Sequence, residues 1–458
     1  MVEVQRGGIY GTNGNSISNN GNLTLSALTV SNASSNKNTI VNAGTLTIKS
    51  AAEISSQTTI PISNTGTLNV NDGYVDGIAN NSSSAIINVT GGTISSNGIN
   101  NIYGTLNLGT NDNTVSTTNP IVSGSTYGVN ISSGTFNFYD GVISGKTAIS
   151  GEVTSVPDEY IIQKTTNNNI EKAILVKGEP VIENVSKSKK YVDVHTAFKE
   201  AASGNQLRLL KSTEIDKPIE ISTGKTIYFS SDASYTLNCT NTSKATIINN
   251  GELYVESSSD DSILTISSSG SKAIQNVGTL NLESGLITSQ VYNTGTVNVT
   301  GGAIRQTSTS TNIIGVYNAT SASILNISGG QIAAYESIIN LGKFEMSGNG
   351  TVNAQIGKDN TFGVQNNGGS VVVKSGDLVG DQNGIINNGG SVVVQGGAVR
   401  SDFGDCTGIE STNNGSIDIT GGTVSGGINV QSGSTLNLGK NDGNVSISSP
   451  IIYRRNTK

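Results

Sequence analysis

Four aspartates in the second half of the chain have the spacing most suggestive of a functional site. Asp359, Asp381 and Asp405 each stand three or four residues before a glycine, and Asp402 shares the 401–408 loop with Asp405. If those glycines occupy equivalent turns of a repeat, the carboxylates stack at one corner of successive coils. Carboxylates held close together repel one another, and a calcium ion, which takes oxygen ligands, relieves that repulsion. The spacing therefore predicts a calcium site formed by these four residues.

The same aspartates fit two other interpretations. Lys358 and Arg400 lie close in sequence, so the cluster also fits a solvated acidic edge whose charge is partly balanced. Hydrolysis of a glycosidic bond requires two carboxylates about 5–9.5 Å apart, and Asp359, Asp381 and Asp405 are the best candidates for such a site. The other acids are scattered through separate repeats: Asp72, Asp140, Glu283 and Asp418.

The single histidine and the two cysteines give weaker signals. His195 lies in a predicted helix, where packing within a capping element explains it more simply than catalysis does. Cys239 and Cys406 are far apart and lack metal-ligand spacing, so we interpret them as two separate small residues. Because the cysteines define no disulfide framework, they do not indicate a cellular compartment.

A short repeated motif defines the elements that must position these residues. Its copy at 293–299, Asn-Thr-Gly-Thr-Val-Asn-Val, has a turn glycine followed by aliphatic residues at every second position. Such alternation is typical of a strand with one buried face. Related copies begin at Asn19, Asn42, Asn64, Asn249, Asn276, Asn340, Asn367, Asn388 and Asn413. Because one short strand cannot bury its apolar face alone, the repeats predict a solenoid in which each coil covers the next.

Two further signals complete each coil. A Gly-Gly-x-Ile element follows the motif, as at 301–304 and 329–332, and a Gly-Val-x-Asn element precedes it, as at 315–318. Three short strands per coil predict a three-sided parallel β-helix. Asparagine at the same corner of successive coils predicts an internal ladder of amide–amide hydrogen bonds, with a simple turn-forming role as the alternative.

Composition agrees with this architecture and argues against two classes of partner. The 458-residue chain has 13% charged residues, no tryptophan and a net charge of −7. Since no basic stretch runs along it, nucleic-acid binding is not expected. No apolar stretch approaches about 18 residues, so membrane insertion is not expected either. Aromatic platforms for sugars are scarce, because the tyrosines are dispersed.

The repeats fall into two arrays. Residues 1–151 form the first array and residues 191–458 the second, separated by a hairpin and linker at 152–190. Two strand-like stretches flank a polar turn at 165–169, which predicts a β-hairpin that seals the first array. A lysine-rich stretch at 186–190 then predicts a solvated linker.

A short helix is predicted at the start of the second array. Residues 193–202 have Asp193 as the N-cap, an apolar face and a following glycine, as expected for a helix that caps the first coil. Near the end of the chain, 436–442 repeats the sequence of 106–112 almost unchanged. This repetition predicts that a larger unit is itself duplicated and that the chain is a section of a longer polypeptide.

These repeats and the capping helix resemble pectate-lyase-like right-handed parallel β-helix proteins. More narrowly, they are similar to the long repetitive surface proteins of Gram-positive bacteria. The resemblance implies an all-β right-handed parallel β-helix and an exported, cell-surface protein whose signal and wall anchor lie outside this segment. It is specific for fold rather than activity, because this fold hosts lyases, hydrolases, tailspikes and adhesins.

From these observations we expect a structural or adhesive segment of an exported bacterial surface protein, with no enzymatic activity and no resident cofactor. We expect a monomeric rod that contacts glycans or host and cell-surface proteins weakly and at many points. A polysaccharide lyase or glycoside hydrolase that uses the aspartate corner is the first alternative. A trimeric, tailspike-like protein is the second.

Overall fold

The computed structural model describes residues 2–34, 36–57, 60–112, 114–257, 263–306, 313–354, 361–402, 406–440 and 449–453. The chain divides into two compact units, Met1–Glu179 (unit 1) and Pro180–Lys458 (unit 2). Each unit is a stack of coils, and each coil contributes short strands to three faces. Neighbouring coils pair in parallel along all three faces, so the predicted all-β parallel β-helix is confirmed.

The three faces of unit 1 correspond to the three sequence signals. Face 1 carries the repeated motif in the strands Thr45–Ile48, Thr67–Val70, Ile86–Val89, Thr105–Leu108 and Thr135–Phe138. Face 2 carries the Gly-Gly-x-Ile element at 91–94 and its more divergent counterparts, and consists of Glu53–Ser56, Tyr74–Val75, Thr93–Ile94, Ile121–Ser123 and Val142–Gly145. Face 3 consists of Ile17–Asn19, Ile40–Asn42, Ile62–Asn64, Ile78–Asn80, Ile99–Asn101, Tyr127–Ile131 and Thr147–Ser150.

Two long strands and a hairpin complete unit 1. Val2–Gly11 and Asn22–Asn32 run in parallel across faces 1 and 2 and join them into one 14-stranded sheet. The hairpin pairs Tyr160–Asn167 with Ile170–Lys177, and its second strand pairs antiparallel with Val142–Gly145. Antiparallel pairing covers the open edge of face 2, which is the sealing role expected from the sequence.

Unit 2 repeats the three-faced arrangement. Face 1 is a 13-stranded sheet of Ile182–Asn184, Lys189–Tyr191, Asn205–Leu209, Thr226–Ser231, Glu252–Val255, Thr279–Leu282, Thr296–Val299, Ile324–Ile327, Lys343–Met346, Ser370–Val373, Ser391–Val394, Ser416–Ile419 and Thr435–Leu438. Face 2 consists of Thr213–Ile215, Tyr235–Cys239, Leu264–Ser268, Leu286–Ile287, Ala303–Arg305, Gln331–Ala334, Thr351–Ala354, Asp377–Gly380, Ala398–Ser401, Thr423–Ser425 and Ile451–Tyr453. Face 3 consists of Ile219–Ile221, Ile247–Asn249, Lys272–Asn276, Gln290–Asn293, Ile314–Asn318, Glu336–Asn340, Phe362–Asn367, Asn383–Asn388, Ile409–Thr412 and Ile428–Val430.

The predicted helix is present at the start of unit 2 as Val194–Glu200, preceded by a 3₁₀ turn at Val185–Lys187. The Asp193 carboxylate accepts a hydrogen bond from the Thr196 backbone N–H at 2.7 Å, as the N-cap assignment requires. Phe198 packs edge-to-face on Phe229 of face 1, with ring centroids 5.1 Å apart. The helix therefore covers apolar side chains at this end of the interior.

The boundary between the units follows Glu179, within the predicted hairpin and linker at 152–190. The last part of that segment is a pair of strands. Ile182–Asn184 and Lys189–Tyr191 pair antiparallel with each other and add to face 1 of unit 2. Ile182 and Tyr191 are buried there, so this lysine-rich stretch is part of the second sheet.

The core follows from in-register stacking of the aliphatic positions. On face 1 of unit 1, Leu46, Leu68, Ile87, Leu106 and Phe136 are consecutive partners across the coils, and all are fully buried. Each inward side chain thus lies above the equivalent side chain of the coil before it. Fully burying one such side chain stabilises the fold by about 1.5–3 kcal/mol.

Asparagines inside face 3 form the predicted ladder, which we call the interior amide ladder. Each Nδ2 donates to the Oδ1 of the asparagine in the next coil at 2.7–3.0 Å. The ladder consists of Asn19, Asn42, Asn64, Asn80 and Asn101 in unit 1, and of Asn249, Asn276, Asn293, Asn318, Asn340, Asn366 and Asn387 in unit 2. All of these bonds point the same way along the chain, so each amide polarises the next.

Three of the motif asparagines named in the sequence analysis are not members of this ladder. Asn366 and Asn387 occupy the positions that the motif assigned to Asn367 and Asn388, because these turns contain one more residue. Asn366 donates to the carbonyl of Gly369, three residues on, whereas Asn293 donates to that of Gly295, two residues on. In the coil of Asn413, the ladder ends instead on the Ser411 hydroxyl, which lies 3.2 Å from the Asn387 Nδ2.

The motif glycine is required by the close approach of neighbouring coils. A Cβ atom added to Gly44 would overlap the carbonyl oxygen of Gly21 in the preceding coil, and one added to Gly278 would overlap that of Gly251. Neither Gly44 nor Gly278 has a positive φ angle. Packing between coils, rather than the turn conformation expected from the sequence, therefore requires glycine at these positions.

Candidate functional site

Two of the four predicted calcium ligands occupy equivalent positions at one corner of unit 2, in consecutive coils. Gly380 and Ser401 are partners on face 2, and the next residues, Asp381 and Asp402, begin the same corner in consecutive coils. Asp381 is fully buried. Asp359 and Asp405, the other two residues of the prediction, lie outside the described residues.

Arg400 controls the electrostatics of this corner. Its Nη1 donates to the Asp402 carboxylate at 2.6 Å, while its Nε and Nη2 donate to both oxygens of Asp377 at 3.1 and 2.9 Å. The bond to Asp377 is the main cause of a raised Arg400 pKa. Sequence reasoning named Arg400 as a partial counter-charge but missed Asp377, which strand pairing places opposite Ala398 of the next coil.

The described part of the acidic corner does not test the calcium prediction. Among the described residues, no group of three or more histidine, cysteine, aspartate or glutamate side chains is arranged to hold a metal ion. With two of its four residues outside the described ranges, the calcium site stays a prediction that a calcium titration of Asp381→Asn and Asp402→Asn variants would test.

Other ionisable residues singled out in the sequence have structural roles. The Asp140 carboxylate accepts hydrogen bonds from the backbone N–H groups of Thr110 and Ser116, at 3.2 and 2.6 Å, and so holds the loop between faces 1 and 2. Cys239 is buried and Cys406 is half-buried. The Asp140 contacts give that residue a role in local folding.

His195 belongs to the cap of unit 2. Its Nε2 lies 3.0 Å from the Lys217 carbonyl oxygen, and its Nδ1 lies 3.4 Å from the Asp193 carboxylate. The hydrogen bond to Asp193 raises the pKa of His195. Burial alone would raise the pKa of Asp193, but hydrogen bonds from His195 and Thr196 outweigh burial and lower it to about 2. The pair fastens the helix to the following coil.

The outer surface of face 1 carries a second set of stacked asparagines, which we call the outer amide ladder. Its members are Asn69, Asn88, Asn107 and Asn137 in unit 1, and Asn281, Asn298 and Asn326 in unit 2. Neighbouring amides are joined at 2.8–2.9 Å, and their side chains are half-buried. Each of these bonds uses only one of the two N–H groups of its donor amide.

A row of mostly hydroxyl side chains accompanies the outer amide ladder in unit 1. Thr67, Ile86, Thr105 and Thr135 are consecutive partners two residues before the ladder asparagines. The coils therefore repeat the same amide and nearly the same hydroxyl at the strand spacing of about 4.8 Å. Such a surface offers evenly spaced donors and acceptors to a partner that is itself rich in hydroxyl groups.

Strand pairing also assembles tyrosines that look dispersed in the sequence. Tyr228 and Tyr254 stack on the outside of face 1 of unit 2, with ring centroids 4.6 Å apart and an interplanar angle of 18°. A hydrogen bond to Glu252, at 3.0 Å, raises the pKa of Tyr254. The signal missed in the sequence is the alignment of Ile-Tyr-Phe with Leu-Tyr-Val in the repeat frame.

These features define the class of protein: two stacked-coil parallel β-helix units whose outer faces present ordered rows of amide, hydroxyl and tyrosine side chains. Comparison with protein-family models, with curated proteins and with solved structures found no match. In the described parts of the chain, no helix has the length and hydrophobicity that a membrane span requires.

Proposed function

We propose that this chain is a structural and adhesive segment of an exported bacterial surface protein that contacts glycans weakly and at many points. The observation that carries the proposal is the outer amide ladder, which repeats one polar group on successive coils. A glycan chain presents hydroxyl groups at regular intervals along its length. Several weak contacts on one surface combine into useful avidity when they are engaged together.

The interior supports this function by holding the surface in register. Burial of the stacked aliphatic side chains and the interior amide ladder fixes each coil on the previous one, so the outer side chains need little ordering when a partner binds. Preorganisation of this kind raises affinity because less conformational freedom is lost on binding. The resemblance to bacterial surface proteins, noted from the repeats, is consistent with this role.

Binding of polyvalent glycans tests the proposal. We expect the chain to bind glycans displayed at high density and to bind the same glycans weakly when they are free. Asn88→Ala/Asn107→Ala interrupts the four-residue outer ladder of unit 1 and should lower binding to the polyvalent display severalfold. The matched control is Asn100→Ala/Asn130→Ala, which removes an isolated amide pair, joined at 3.1 Å, from the outside of face 3.

Three results would count against this proposal. If the ladder variant and the control variant bound the polyvalent glycan equally, the outer amide ladder would have no role in binding. Cleavage of a polyuronate or neutral polysaccharide that Asp381→Asn abolishes would show instead that the chain is an enzyme. Sedimentation of a trimer would favour the tailspike-like alternative.

A further inference from the structure

A recess forms in unit 2 where the chain passes from face 2 to face 3. Core partners Ile266, Ile287 and Ile304 align on face 2, and Ile274, Val291 and Val316 align on face 3. The connection between aligned positions is residues 267–273 in the first of these coils and only 288–290 in the next. A hollow of about 520 Å³ lies beside the shorter connection, and Gln306, Ile313 and Ile314 of the third coil also line it.

The recess has a polar lining without charge. None of the described residues that line it is ionisable. Ser289 and Gln306, exposed by only 8% and 6%, lie at its base. The Ser267 hydroxyl donates to the Asn238 amide oxygen at 2.9 Å, the Asn238 Nδ2 donates to the Ser269 hydroxyl at 3.3 Å, and the Ser289 hydroxyl donates to the Ser268 carbonyl at 3.1 Å. The lining is therefore ordered before any ligand arrives.

An aromatic pair lies next to the recess on face 3. Gln290, which lines the recess, and Tyr292 point to the same outer side of one strand, and Ile314 and Tyr317 stand on the adjacent strand. The Tyr292 and Tyr317 ring centroids are 5.5 Å apart, with an interplanar angle of 69°. Lys272, which follows the recess residue Ser271, has its Nζ 4.5 Å from the Tyr292 centroid.

We propose that the recess and the Tyr292–Tyr317 pair form a binding site for a neutral oligosaccharide. Sugars combine apolar C–H faces, which pack on aromatic rings, with hydroxyl groups, which bond to amides and hydroxyls. The recess supplies uncharged polar partners, and the tyrosines supply an apolar surface with a polar end. This inference rests on the proposed glycan-binding function and assigns it one specific site on unit 2.

The second tyrosine pair of unit 2 provides a matched control. Tyr228 and Tyr254 are also half-buried on an outer face, but their nearly parallel rings cover each other, and neither residue lines the recess. Removing that pair deletes the same side chains without touching the proposed site. A difference between the two double variants therefore reports on the site itself.

Isothermal titration calorimetry of the full chain with maltopentaose, cellopentaose and mannopentaose tests the proposal, with an oligogalacturonate of equal length as the charged comparison. We expect at least one neutral probe to bind more tightly than the charged one. Tyr292→Ala/Tyr317→Ala should weaken that binding at least tenfold, whereas Tyr228→Ala/Tyr254→Ala should change it by less than twofold. Ser269→Leu, at an exposed position on the rim, should block the recess even if the tyrosine variant fails to fold.

Each other outcome overturns the assignment in a recognisable way. Wild-type binding that survives both Tyr292→Ala/Tyr317→Ala and Ser269→Leu would overturn the site and leave the glycan-binding function intact. Tighter binding of the charged probe would overturn the ligand class. No binding of free oligosaccharides, with binding to polyvalent glycans retained, would overturn the site alone. Absence of binding in both formats would overturn the site and the proposed function together.

Discussion

Truncating one asparagine of the interior amide ladder should destabilise unit 2 far more than truncating its neighbour outside the same coil. Asn293 is fully buried, donates to Asn318 Oδ1 at 2.7 Å and accepts from Asn276 Nδ2 at 2.8 Å. Its Oδ1 also accepts from the backbone N–H of Gly295 at 3.1 Å. Asn298 has matching amide contacts of 2.8 and 2.9 Å but is only half-buried.

The expected loss follows from the groups that Asn293→Ala leaves behind. Asn276 Nδ2 keeps its bonds to the carbonyls of Gly278 and Thr296, so it stays satisfied. Asn318 Oδ1 and the Gly295 N–H lose these partners. Asn318 is fully buried, so its unsatisfied Oδ1 alone costs about 1–3 kcal/mol. Gly295 is only half-buried, so its N–H adds less. Water replaces the lost partners of Asn298, so Asn298→Ala should cost less than about 1 kcal/mol.

The measurement combines urea denaturation with local hydrogen exchange. The chain has no tryptophan, so far-UV circular dichroism follows unfolding. Repeat arrays can unfold in parts, which makes a single unfolding free energy inadequate. Hydrogen-exchange mass spectrometry on peptides spanning 276–327 therefore gives the local free energy of opening. Equal losses for Asn293→Ala and Asn298→Ala would refute the argument that burial gives the interior ladder its importance.

Two further predictions concern packing between coils and the cap of unit 2. Gly44→Ala should destabilise unit 1 by about 1–3 kcal/mol, because the new methyl group overlaps the Gly21 carbonyl. At Gly21 an added Cβ meets no atom within 4 Å, so Gly21→Ala should change the stability by less than about 1 kcal/mol. Chemical denaturation of both variants distinguishes packing from turn conformation. Asp193→Ala should cost about 1 kcal/mol through loss of the N-cap. Because the folded pKa of Asp193 is lowered to about 2 from 3.8, its contribution is present above pH 3.8 and is lost as the pH falls toward 2. The pKa of His195 is raised from 6.5, so its contribution to stability is full below pH 6.5 and is lost as the pH rises through the folded pKa. Two results would contradict this account: wild-type denaturation midpoints that change with pH in neither range, or pH dependence that persists in Asp193→Ala.

Local sequence was sufficient to predict the repeating strands, the three-faced coil and the capping helix. Alternating aliphatic residues define an inward and an outward side of each strand, independently of the neighbouring coil. Asp193 caps the helix through a hydrogen bond to Thr196, only three residues away. The existence of an asparagine ladder was predictable for the same reason, since the asparagine keeps a constant position after an aliphatic strand.

The proposed sites depend on which residues of different coils lie close together, and this cannot be read directly from the sequence. Tyr292 and Tyr317 stand a full coil apart in sequence and meet because Val291 pairs with Val316. The recess is lined by residues of several coils, and the partnership of Arg400 with Asp377 depends on which coil lies alongside.

What the sequence by itself determined is therefore the alternation, the coil and the kind of residue that faces inward. The tertiary structure alone decided which residues of different coils become neighbours, including the choice of Asn366 over Asn367 as a ladder member. The physical reason is that side-chain direction along a strand is a local property, whereas register between strands is settled by the packing and hydrogen bonding of the whole stack.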